Sequence, residues 1–428
     1  MNARPELSTA RAMDDCLVDV PLLDPAAARK IILEEAGEIV GDESRSLGAL
    51  LGRVTSADIC SAVSLPRFDN SAVDGFGLHA DDLQKQAPLS LSIIGRVAAG
   101  HGTVARLAPG KTFRILTGAR IPDGVAAVIL QERTTRSAAD VTLHFIPEMG
   151  ANIRGHGEDV SSGTVIVSKG TVLDARHLAI LAASGNARIS VKRRLRVGVL
   201  STGDELVEPT VETSPNAIID TNRPMLLALL GSSTLDVVDL GIIPDDRETI
   251  ACAVSEAASH LDLLITSGGV AGSDADHLEP AILAAGGICK SLKLALRPGK
   301  PIARAMIGDM HVVGLPGNPV AALVNFLLFV RPLTQRLLGA TETERAGIVA
   351  TTGETFFHKP GRTEFLPACV ASRDIQGVPI LRKLGRGGSA RLLPLVHADG
   401  LAELAPTAGN LEKGSSVRFH PFSTSFAI

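Results

Sequence analysis

An apolar run that breaks directly into a pair of glycines constrains this chain more than any other feature. Residues 261–265 form a short, mostly apolar run, as in a strand buried on both faces of a sheet. Ser267-Gly268-Gly269 follows, where backbone N–H groups can point at an anion without Cβ atoms in the way, and then come Asp274 and Asp276. This order suits phosphate and metal chemistry at the carboxyl edge of a sheet. A tight turn with solvated acids explains the stretch alone equally well.

Strands alternate with helices on both sides of this run, over residues 193–340. Further apolar strand patterns occur at 195–200, 235–240 and 310–315. Helical periods separate them, and the longest helical pattern covers 319–338. The alternation predicts a three-layer α/β domain, in which helices cover both faces of a central, doubly wound parallel sheet.

The sequences that flank the α/β domain have β patterns in place of long helical ones. Short β runs between Gly and Pro residues predict an inserted β subdomain at 66–146. Residues 1–65 and 147–192 form the predicted N-terminal α+β subdomain, which begins with a helix at 25–40. Residues 341–428 form a predicted small β-barrel-like domain. The expected fold class is therefore multidomain, α/β plus β.

Charge, cysteine spacing and hydropathy exclude several classes of protein. The 42 Lys and Arg residues nearly balance the 46 Asp and Glu residues, which argues against non-specific nucleic-acid binding. The five cysteines stand singly, which argues against a zinc site or a disulfide framework. The most apolar run, 320–330, is interrupted by Asn325 and is too short to span a bilayer, and no signal peptide is visible. We expect a soluble, cytoplasmic protein that binds neither membranes nor nucleic acids.

Three more strand ends lead into polar or glycine-containing turns. The strand at 195–200 leads into Ser201-Thr202-Gly203-Asp204-Glu205, and the strand at 310–315 into Pro316-Gly317-Asn318-Pro319. Asn318 suits the N-cap of the following helix and Pro319 its first position, which leaves the first N–H groups of the helix free for an anion. Arg297-Pro298-Gly299-Lys300-Pro301 is a stiff basic turn suited to a small oxyanion. For each turn alone, a binding role and an ordinary structural turn explain the residues equally well. Four such turns at one sheet edge predict a binding site.

The predicted site carries charges of both signs. Its glycine turns, helix N-terminus and basic turn attract anions. Six acids would repel them: Asp204, Glu205, Asp220, Asp245, Asp274 and Asp276. A Mg²⁺ ion bound between one or two carboxylates and substrate phosphates resolves this conflict. Capping and solvation are the alternative for the acids, and Asp245, three residues before Glu248, is better explained as the cap of a helix.

Three polar motifs in the first half of the chain are further candidates. Asp69 and Asp74 flank Asn70-Ser71, and the other two motifs are Thr117-Gly118-Ala119 and Gly155-His156-Gly157-Glu158-Asp159. Local propensity makes each of them a turn. They contribute to the site only if the fold carries them to the glycine loops.

Taken in order, these motifs resemble the serial motifs of the MoeA family, the molybdopterin molybdenumtransferases, to which the E domain of gephyrin also belongs. The resemblance covers about residues 20–425. It rests on Phe68-Asp-Asn-Ser-Ala-Val-Asp-Gly75, Leu116-Thr-Gly-Ala119, Asn152-Ile-Arg154 with Gly157-Glu-Asp159, Ser201-Thr-Gly-Asp-Glu-Leu206, Asp220-Thr-Asn-Arg223, Ser267-Gly-Gly-Val270, Arg297-Pro-Gly-Lys-Pro301 and Leu315-Pro-Gly-Asn-Pro319.

The resemblance implies a homodimeric enzyme of molybdenum cofactor biosynthesis with its active site between subunits. Such an enzyme takes adenylated molybdopterin and molybdate, splits the adenylate in a Mg²⁺-dependent step that releases AMP, and leaves molybdenum on the dithiolene. Molybdopterin adenylyltransferase and apo-molybdoenzymes are the implied partners.

The resemblance also implies roles for individual residues. The catalytic residues would be Asp74, Thr117, Asp159, Glu205, Asp274 and Asp276, the first three of which reach the site from the second subunit. The metal would be held by Asp204, Glu205, Asp274 and Asp276. The molybdate pocket would be shaped by Arg297, Pro298, Lys300 and Pro301. The other cofactor contacts would come from Thr202, Gly203, Asp220, Ser267, Gly268, Gly269, Pro316, Gly317 and Asn318.

The chain departs from the family pattern at three places. Ala271-Gly272-Ser273 replaces the usual Ser-Val-Gly, Gly155-His156-Gly157 stands where the family is often arginine-rich, and Phe76 replaces a Tyr. Losing positive charge beside a phosphorylated substrate would weaken its binding. The departures favour one alternative, a non-catalytic paralogue that binds or delivers the finished cofactor to a specific molybdoenzyme. The adenylyltransferase reaction is a third interpretation, against which the long N-terminal region and the β tail count.

Overall fold

The computed structural model describes residues 22–38, 41–101, 105–209, 215–232, 234–270, 277–341, 347–385, 388 and 390–422. The chain divides into two compact units, Asp42–Lys192 and the combination of Met1–Gly41 with Arg193–Ile428. The finer, four-part division expected from the sequence stays a prediction.

The first helix, α1, spans Pro25–Glu34 and belongs to the second of these units. Asp24 caps it, accepting hydrogen bonds from the backbone of the first turn. The helix ends six residues before the predicted position 40. Tertiary contacts explain the early end: Glu35 pairs with Arg304, and the carbonyl of Ala36 accepts from Arg336 Nε at 3.1 Å in place of a helical N–H.

Short strands make up most of the unit Asp42–Lys192. In chain order its elements are β1 (Asp42–Ser46), β2 (Ile59–Cys60), β3 (Asn70–Ser71), β4 (Gly75–His79), β5 (Leu89–Val97), β6 (Lys111–Ile115), β7 (Val125–Leu130), β8 (Thr134–Arg136), β9 (Asp140–Leu143), β10 (Ile153–Arg154), β11 (Val165–Val167), α2 (Ala175–Ala183) and β12 (Arg188–Lys192). The short β runs predicted in this region are confirmed.

One sheet of this unit has the strand order β7-β4-β6-β5-β9-β8, and its core includes Phe76, Leu91 and Ile129. Within it β5 and β6 are parallel and the other neighbours antiparallel. The remaining strands pair as β1 with β12, β2 with β11 and β3 with β10. The β1–β12 pair brings the two ends of the unit together, since Asp42 lies opposite Lys192.

The α/β part of the other unit follows. Its elements are β13 (Leu195–Thr202), β14 (Leu206–Val207), β15 (Ile218–Ile219), α3 (Asn222–Leu229), β16 (Leu235–Ile243), α4 (Arg247–Ala258), β17 (Leu263–Ser267), α5 (Leu278–Ala284), β18 (Ile288–Lys293), β19 (Leu296–Arg297), β20 (Pro301–Ile307), β21 (Met310–Leu315), α6 (Pro319–Asn325), a π-helical turn (Phe326–Val330) and α7 (Arg331–Leu337).

The central sheet has the order β16-β13-β17-β21-β20-β18 and is mixed. The predicted α/β sheet is confirmed, and β16, β13, β17 and β21 are parallel as expected. β20 differs from the prediction, because it runs antiparallel to both of its neighbours, β21 and β18, while β18 runs in the same direction as the other four strands. The reason is chain length: two residues, Gly308 and Asp309, separate β20 from β21, and a parallel connection needs a crossover of about a dozen residues.

Helices cover both faces of this sheet. α4 and α5 bury Val254 and Ile282 against Leu264 of β17, while α3 and α6 pack together near β13 and β21. The continuous helix Pro319–Leu337 is long and apolar enough to cross a membrane, but 72% of its most apolar window is buried inside the protein. That burial is typical of a core helix.

The C-terminal part of the same unit is a small closed barrel, as predicted. Its elements are β22 (Ile348–Thr352), β23 (Thr363–Arg373), β24 (Pro379–Lys383), α8 (Leu392–Val396), β25 (Gly400–Leu404) and β26 (Ser416–Pro421). The strand order β23-β24-β22-β26-β25 closes because β25 also pairs with β23. β19 adds to β23 in parallel and thereby joins the barrel to the α/β part.

Candidate active site

Three parallel strands of the central sheet end side by side. Ser201 lies opposite Ser267, and Ser267 opposite Leu315, so β13, β17 and β21 finish at one edge. β20 runs antiparallel to β21, and its first residue, Pro301, therefore begins at this same edge. The four turns singled out from the sequence are brought together here.

Buried side-chain oxygens without hydrogen-bond partners mark this edge. Four lie here without a partner among the described residues: Ser201 Oγ, Thr202 Oγ1, Thr266 Oγ1 and Asn222 Oδ1. Nδ2 of Asn222 donates to Ser267 Oγ at 2.8 Å and to the carbonyl oxygen of Gly317 at 2.7 Å, which ties α3 to two of the turns. Ser201 and Thr266 lie on opposite faces of the sheet, since Ser201 pairs with Ser267 and Thr266 with Leu200. An unpaired buried polar group costs about 1–3 kcal/mol, so these four oxygens, together called the cradle, indicate that polar ligand groups bind at this edge.

Gly268 and Gly269 bring the backbone after β17 close to Thr202. Their φ angles are +101° and +68°, and a Cβ on Gly268 would lie 2.6 Å from the Thr202 carbonyl oxygen. Glycine is therefore required at 268 for both conformation and space. The expectation that N–H groups of this turn serve an anion does not hold for Gly268, because its N–H donates to the Leu315 carbonyl at 3.0 Å.

The helix cap predicted at Asp245 lies one residue later. Asp246 is the N-cap of α4, and its carboxylate accepts from the N–H and the hydroxyl of Thr249 at 2.8 and 2.7 Å. Two adjacent aspartates precede the helical period, and the sequence alone does not decide between them. The N–H of Asp245 instead donates to Asp204 Oδ1 at 3.0 Å, which ties the turn after β16 to the turn after β13.

The predicted metal ligands are described only in part. Asp204 and Glu205 are exposed in the turn after β13, and Glu205 folds back over Gly203, where a Cβ would lie 2.7 Å from its Oε2. Asp274 and Asp276 lie outside the described residues. Within the described ranges, no three His, Cys, Asp or Glu side chains are grouped closely enough to hold a metal ion by themselves.

Asp220 is buried in an ion pair and positions the start of α3. Its Oδ1 accepts from the N–H groups of Asn222 and Arg223 at 3.1 and 3.2 Å, and its Oδ2 from Arg223 Nε at 3.2 Å. Arg223 also pairs with Asp239 and Glu208. The carboxylate of Asp220 thus holds Asn222 in place, and its expected contact with a cofactor stays a prediction.

The basic turn 297–301 is fixed from two sides. β19 pairs with β23 so that Arg297 lies opposite Glu364, while Asn325 Nδ2 donates to the Gly299 carbonyl at 3.3 Å. Arg297 and Lys300 are exposed at the two ends of the turn, and Pro298 and Pro301 lie between and after them. This arrangement leaves both cationic side chains accessible to an anion.

Sequence reasoning missed a buried pair behind this turn. His358 Nδ1 lies 2.8 Å from Glu364 Oε2, and the other carboxylate oxygen of Glu364 lies 3.8 Å from Arg297 Nε. Both residues come from the C-terminal barrel, about 60 positions after Arg297. The only sequence signal was an acid and a histidine in a β region, which is too common to single out.

Pro316, Gly317 and Asn318 form the turn between β21 and α6. Pro316 is buried, and Gly317 and Asn318 are exposed. Asn318 occupies the predicted N-cap position, with Pro319 first in the helix, but no hydrogen bond from its side chain caps the helix within the described residues. The predicted position of the N-cap is confirmed, but the described residues show no capping hydrogen bond from the Asn318 side chain.

The three motifs of the unit Asp42–Lys192 lie together. β3 pairs with β10, which places Asn70 opposite Arg154, and the N–H of Gly118 donates to the Ser71 carbonyl at 2.8 Å. His156 N donates to Asp69 Oδ1 at 2.7 Å. Residues more than 80 positions apart in sequence therefore form one polar cluster.

Asp74 and Thr117 are in direct contact within this cluster. The Asp74 carboxylate accepts from the Thr117 N–H and hydroxyl, both at 2.7 Å, and these bonds hold the pKa of Asp74 below its usual range. Asp159 is exposed, and its N–H donates to the Leu65 carbonyl at 3.1 Å. Asp74 is thereby kept ionised, with its position fixed by a residue 43 positions away.

Two arginines lie near the same cluster. Arg154 and Arg120 both pair with Asn70 through the backbone, and the Arg120 guanidinium lies 5.6 Å from the centre of the Phe68 ring. Arg154 directly precedes the stretch 155–157, and Arg120 follows the Thr117-Gly118-Ala119 motif.

The chain matches three family descriptions in succession. They are "MoeA N-terminal region (domain I and II)" over residues 23–185, "Probable molybdopterin binding domain" over residues 198–336 and "MoeA C-terminal region (domain IV)" over residues 349–422. The turns at the sheet edge fall in the second, and the cluster around Asn70 in the first.

Similar proteins match over nearly the whole chain. A molybdopterin molybdenumtransferase of Haemophilus influenzae is 36% identical over 398 residues, covering 92% of this chain and 98% of that protein. One of Bacillus subtilis is 32% identical, covering 92% and 93%. Among solved structures, a molybdopterin biosynthesis MoeA protein of Pyrococcus horikoshii OT3 has a TM-score of 0.79 at 27% identity, covering 93% of this chain and 99% of that one.

Proposed function

The chain belongs to the MoeA family, and we propose that it is a molybdopterin molybdenumtransferase that inserts molybdenum from molybdate into adenylated molybdopterin and releases AMP. Its place in molybdenum cofactor biosynthesis, as a transferase that acts on molybdopterin, follows from its full-length similarity to enzymes of that name. Molybdate, the adenylated form of the substrate and AMP release are the finer parts of the proposal.

The observation that carries the proposal is the cradle of unpartnered oxygens at the sheet edge. Ser201, Thr202, Thr266 and Asn222 carry buried, unpartnered polar atoms at this edge, and Thr202 lies against the backbone of Gly268. A pterin and its phosphate offer many donors and acceptors that match such a surface. The exposed Arg297 and Lys300 suit the molybdate oxyanion, since both are cationic and lie at the same edge.

A magnesium ion fits the acids of this edge in one particular mode. Mg²⁺ is usually bound through one or two carboxylates together with substrate phosphates, and Asp204 and Glu205 are two exposed carboxylates on one turn. These two would hold the ion, and Asp274 and Asp276 are the further ligands expected from the sequence. When bound, the ion supplies charge neutralisation at the phosphate that is cleaved.

We propose further that two copies of the chain associate and that each site uses residues of both. The polar cluster of the unit Asp42–Lys192 supports this, because Asp74 is held ionised and Thr117 and Asp159 are exposed. Cytoplasmic location is supported by the free thiols of Cys60, Cys252, Cys289 and Cys369. Molybdopterin adenylyltransferase and apo-molybdoenzymes are the partners that would supply the substrate and take the product.

The test is a turnover assay with purified protein, adenylated molybdopterin, molybdate and Mg²⁺. Wild-type protein should release AMP and load molybdenum, and EDTA should abolish both. Thr202→Val, which removes one cradle hydroxyl and keeps the shape, should lower kcat/KM by about tenfold. Absence of AMP release from wild-type protein would refute the proposal, and tight binding of finished cofactor in the same preparation would favour the delivery paralogue.

A further inference from the structure

Asn325 is a polar side chain in the apolar helix Pro319–Leu337. It is fully buried, between Val324 and Phe326, which are also buried. Burying an amide costs free energy unless hydrogen bonds within the protein replace those it made to water. Its contacts therefore indicate what it does.

The amide nitrogen of Asn325 links this helix to the basic turn. Nδ2 donates to the Ala321 carbonyl, four residues earlier in the helix, at 3.0 Å, and to the Gly299 carbonyl at 3.3 Å. Gly299 has a φ of +106°, and a Cβ there would lie 2.3 Å from Nδ2. The glycine and the asparagine thus fit each other closely, and no side chain at 299 leaves room for this contact.

The acceptor end of the same amide is unsatisfied. Oδ1 of Asn325 is buried and has no partner among the described residues. The helix changes to a π-helical turn immediately afterwards, at Phe326–Val330, and such turns occur frequently at functional sites. An amide used only to stabilise the core would not be expected to leave its oxygen unpaired.

The helix that carries Asn325 is also held at its start. Asn222 donates to the Gly317 carbonyl just before α6, at 2.7 Å. One helix therefore carries the turn 316–318 at its N-terminus and holds the turn 297–301 about two helical turns further on.

We propose that Asn325 is a positioning residue for the oxyanion substrate: by fixing the Gly299 carbonyl, it sets where Arg297 and Lys300 stand relative to the start of α6. This inference rests on the proposed function, because it assigns the basic turn to molybdate. In this role Asn325 acts through the Gly299 carbonyl. Its effect should therefore appear in the use of molybdate and not in the use of the pterin.

The experiment compares two variants of Asn325 with a control in the same helix. Asn325→Leu removes the amide, whereas Asn325→Ser keeps a donor that bonds back to the Ala321 carbonyl but is too short to reach Gly299. The control is Thr334→Val, because the bond that the described residues show for Thr334 Oγ1 is to the Arg331 carbonyl of the same helix, at 2.7 Å. KM is measured for molybdate and for adenylated molybdopterin, and hydrogen–deuterium exchange is followed over residues 294–303.

Both Asn325 variants should raise KM for molybdate by about tenfold, as for the loss of one buried hydrogen bond, and leave KM for adenylated molybdopterin within about twofold. Exchange over 294–303 should rise in both variants and stay at the wild-type level in Thr334→Val. Asn325→Ser with unchanged molybdate KM, or unchanged exchange in the turn, would overturn the inference.

The two proposals fail in different ways. If wild-type protein neither binds molybdate nor releases AMP, the proposed function is wrong, and exchange over 294–303 still reports whether Asn325 holds the turn. If wild-type protein is active and the Asn325 variants match it in molybdate KM, only the inference about Asn325 is wrong.

Discussion

The backbone at Gly268 lies so close to Thr202 that no side chain fits at position 268. A side chain introduced at 268 would be strained for two reasons. The φ angle is positive, and the added Cβ would lie 2.6 Å from the Thr202 carbonyl oxygen. Gly286 has only the first of these two features: its φ is +78°, but an added Cβ would meet nothing within 4 Å. Comparing alanine substitutions at these two glycines therefore separates the free-energy cost of the steric clash from the cost of the positive φ angle.

Gly268→Ala should destabilise the protein by about 2–4 kcal/mol, against about 1–2 kcal/mol for Gly286→Ala, because only the first adds a clash with backbone. Urea unfolding of the two variants and the wild type measures the difference. Gly268→Ala should also lose most AMP release, while Gly286→Ala keeps it. Equal losses of stability in the two variants would contradict the close approach.

At the scale of elements, one carboxylate ties together the starts of β13 and β17. Asp262 accepts from Arg193 Nη1 and Nη2 at 2.7 and 2.8 Å and from the Arg196 N–H at 2.8 Å. Burial alone would raise the pKa of Asp262, but hydrogen bonds from Arg193 and Arg196 outweigh it and hold the pKa well below its usual range. The strands that end at the cradle are thus anchored at their opposite ends.

A lowered pKa means that ionised Asp262 contributes stability above its unfolded pKa, near 3.8, and that this contribution is lost as pH falls through the folded value. Asp262→Asn should therefore lower the free energy of unfolding by about 1.5–3 kcal/mol at pH 7, and the deficit should shrink below about pH 4. Urea titrations between pH 7 and pH 3 measure it. Asp236→Asn, which breaks an exposed pair with Arg194, is the control and should cost less than about 1 kcal/mol at any pH.

Sequence patterns were most informative where local periodicity decides the structure. The strand Met310–Leu315 and the helix from Pro319 were recoverable because burial on both faces and a proline at the first helical position leave a local trace. The antiparallel β20 was not recovered, although its two-residue connection to β21 carried the information. Asp245 was preferred to Asp246 as a cap because Glu248 stands three residues after it, as in a capping box, whereas the observed cap Asp246 accepts from Thr249.

The candidate site was harder to predict, because its contacts join distant segments. Asn222 reaches Gly317 across 95 positions, and Asn325 appeared only as an interruption of an apolar run. The contact between Asp74 and Thr117 left no trace in either segment. Tertiary hydrogen bonds of this kind depend on the fold as a whole, and no window of sequence contains both partners.

For the whole molecule, the proposed shared site makes a prediction about mixed dimers. Asp74→Asn and Thr202→Val should each abolish most activity, since one belongs to the cluster around Asn70 and the other to the cradle. If each site combines the cluster of one subunit with the cradle of the other, a mixed dimer retains one intact site. An equal mixture of the two chains should then recover about a quarter of wild-type activity, because half of the dimers are mixed and each has one working site of two.

Co-expression with two different affinity tags isolates the mixed dimer for assay, and light scattering gives its mass. Two copies of the same variant carrying both tags serve as the control. No recovery from an isolated mixed dimer, or a monomeric mass for wild-type protein, would rule out the shared site.

The pairing of β1 with β12 has a practical consequence. Asp42 and Lys192 are neighbours, and the N–H of Arg193 donates to the Gly41 carbonyl at 3.2 Å. A gene that fuses codon 41 to codon 193 would therefore encode a chain in which Gly41 is joined directly to Arg193 without a linker. The excised segment would keep its own buried interior. One natural polypeptide can in this way be rebuilt as two shorter ones, each a separate reagent for binding studies.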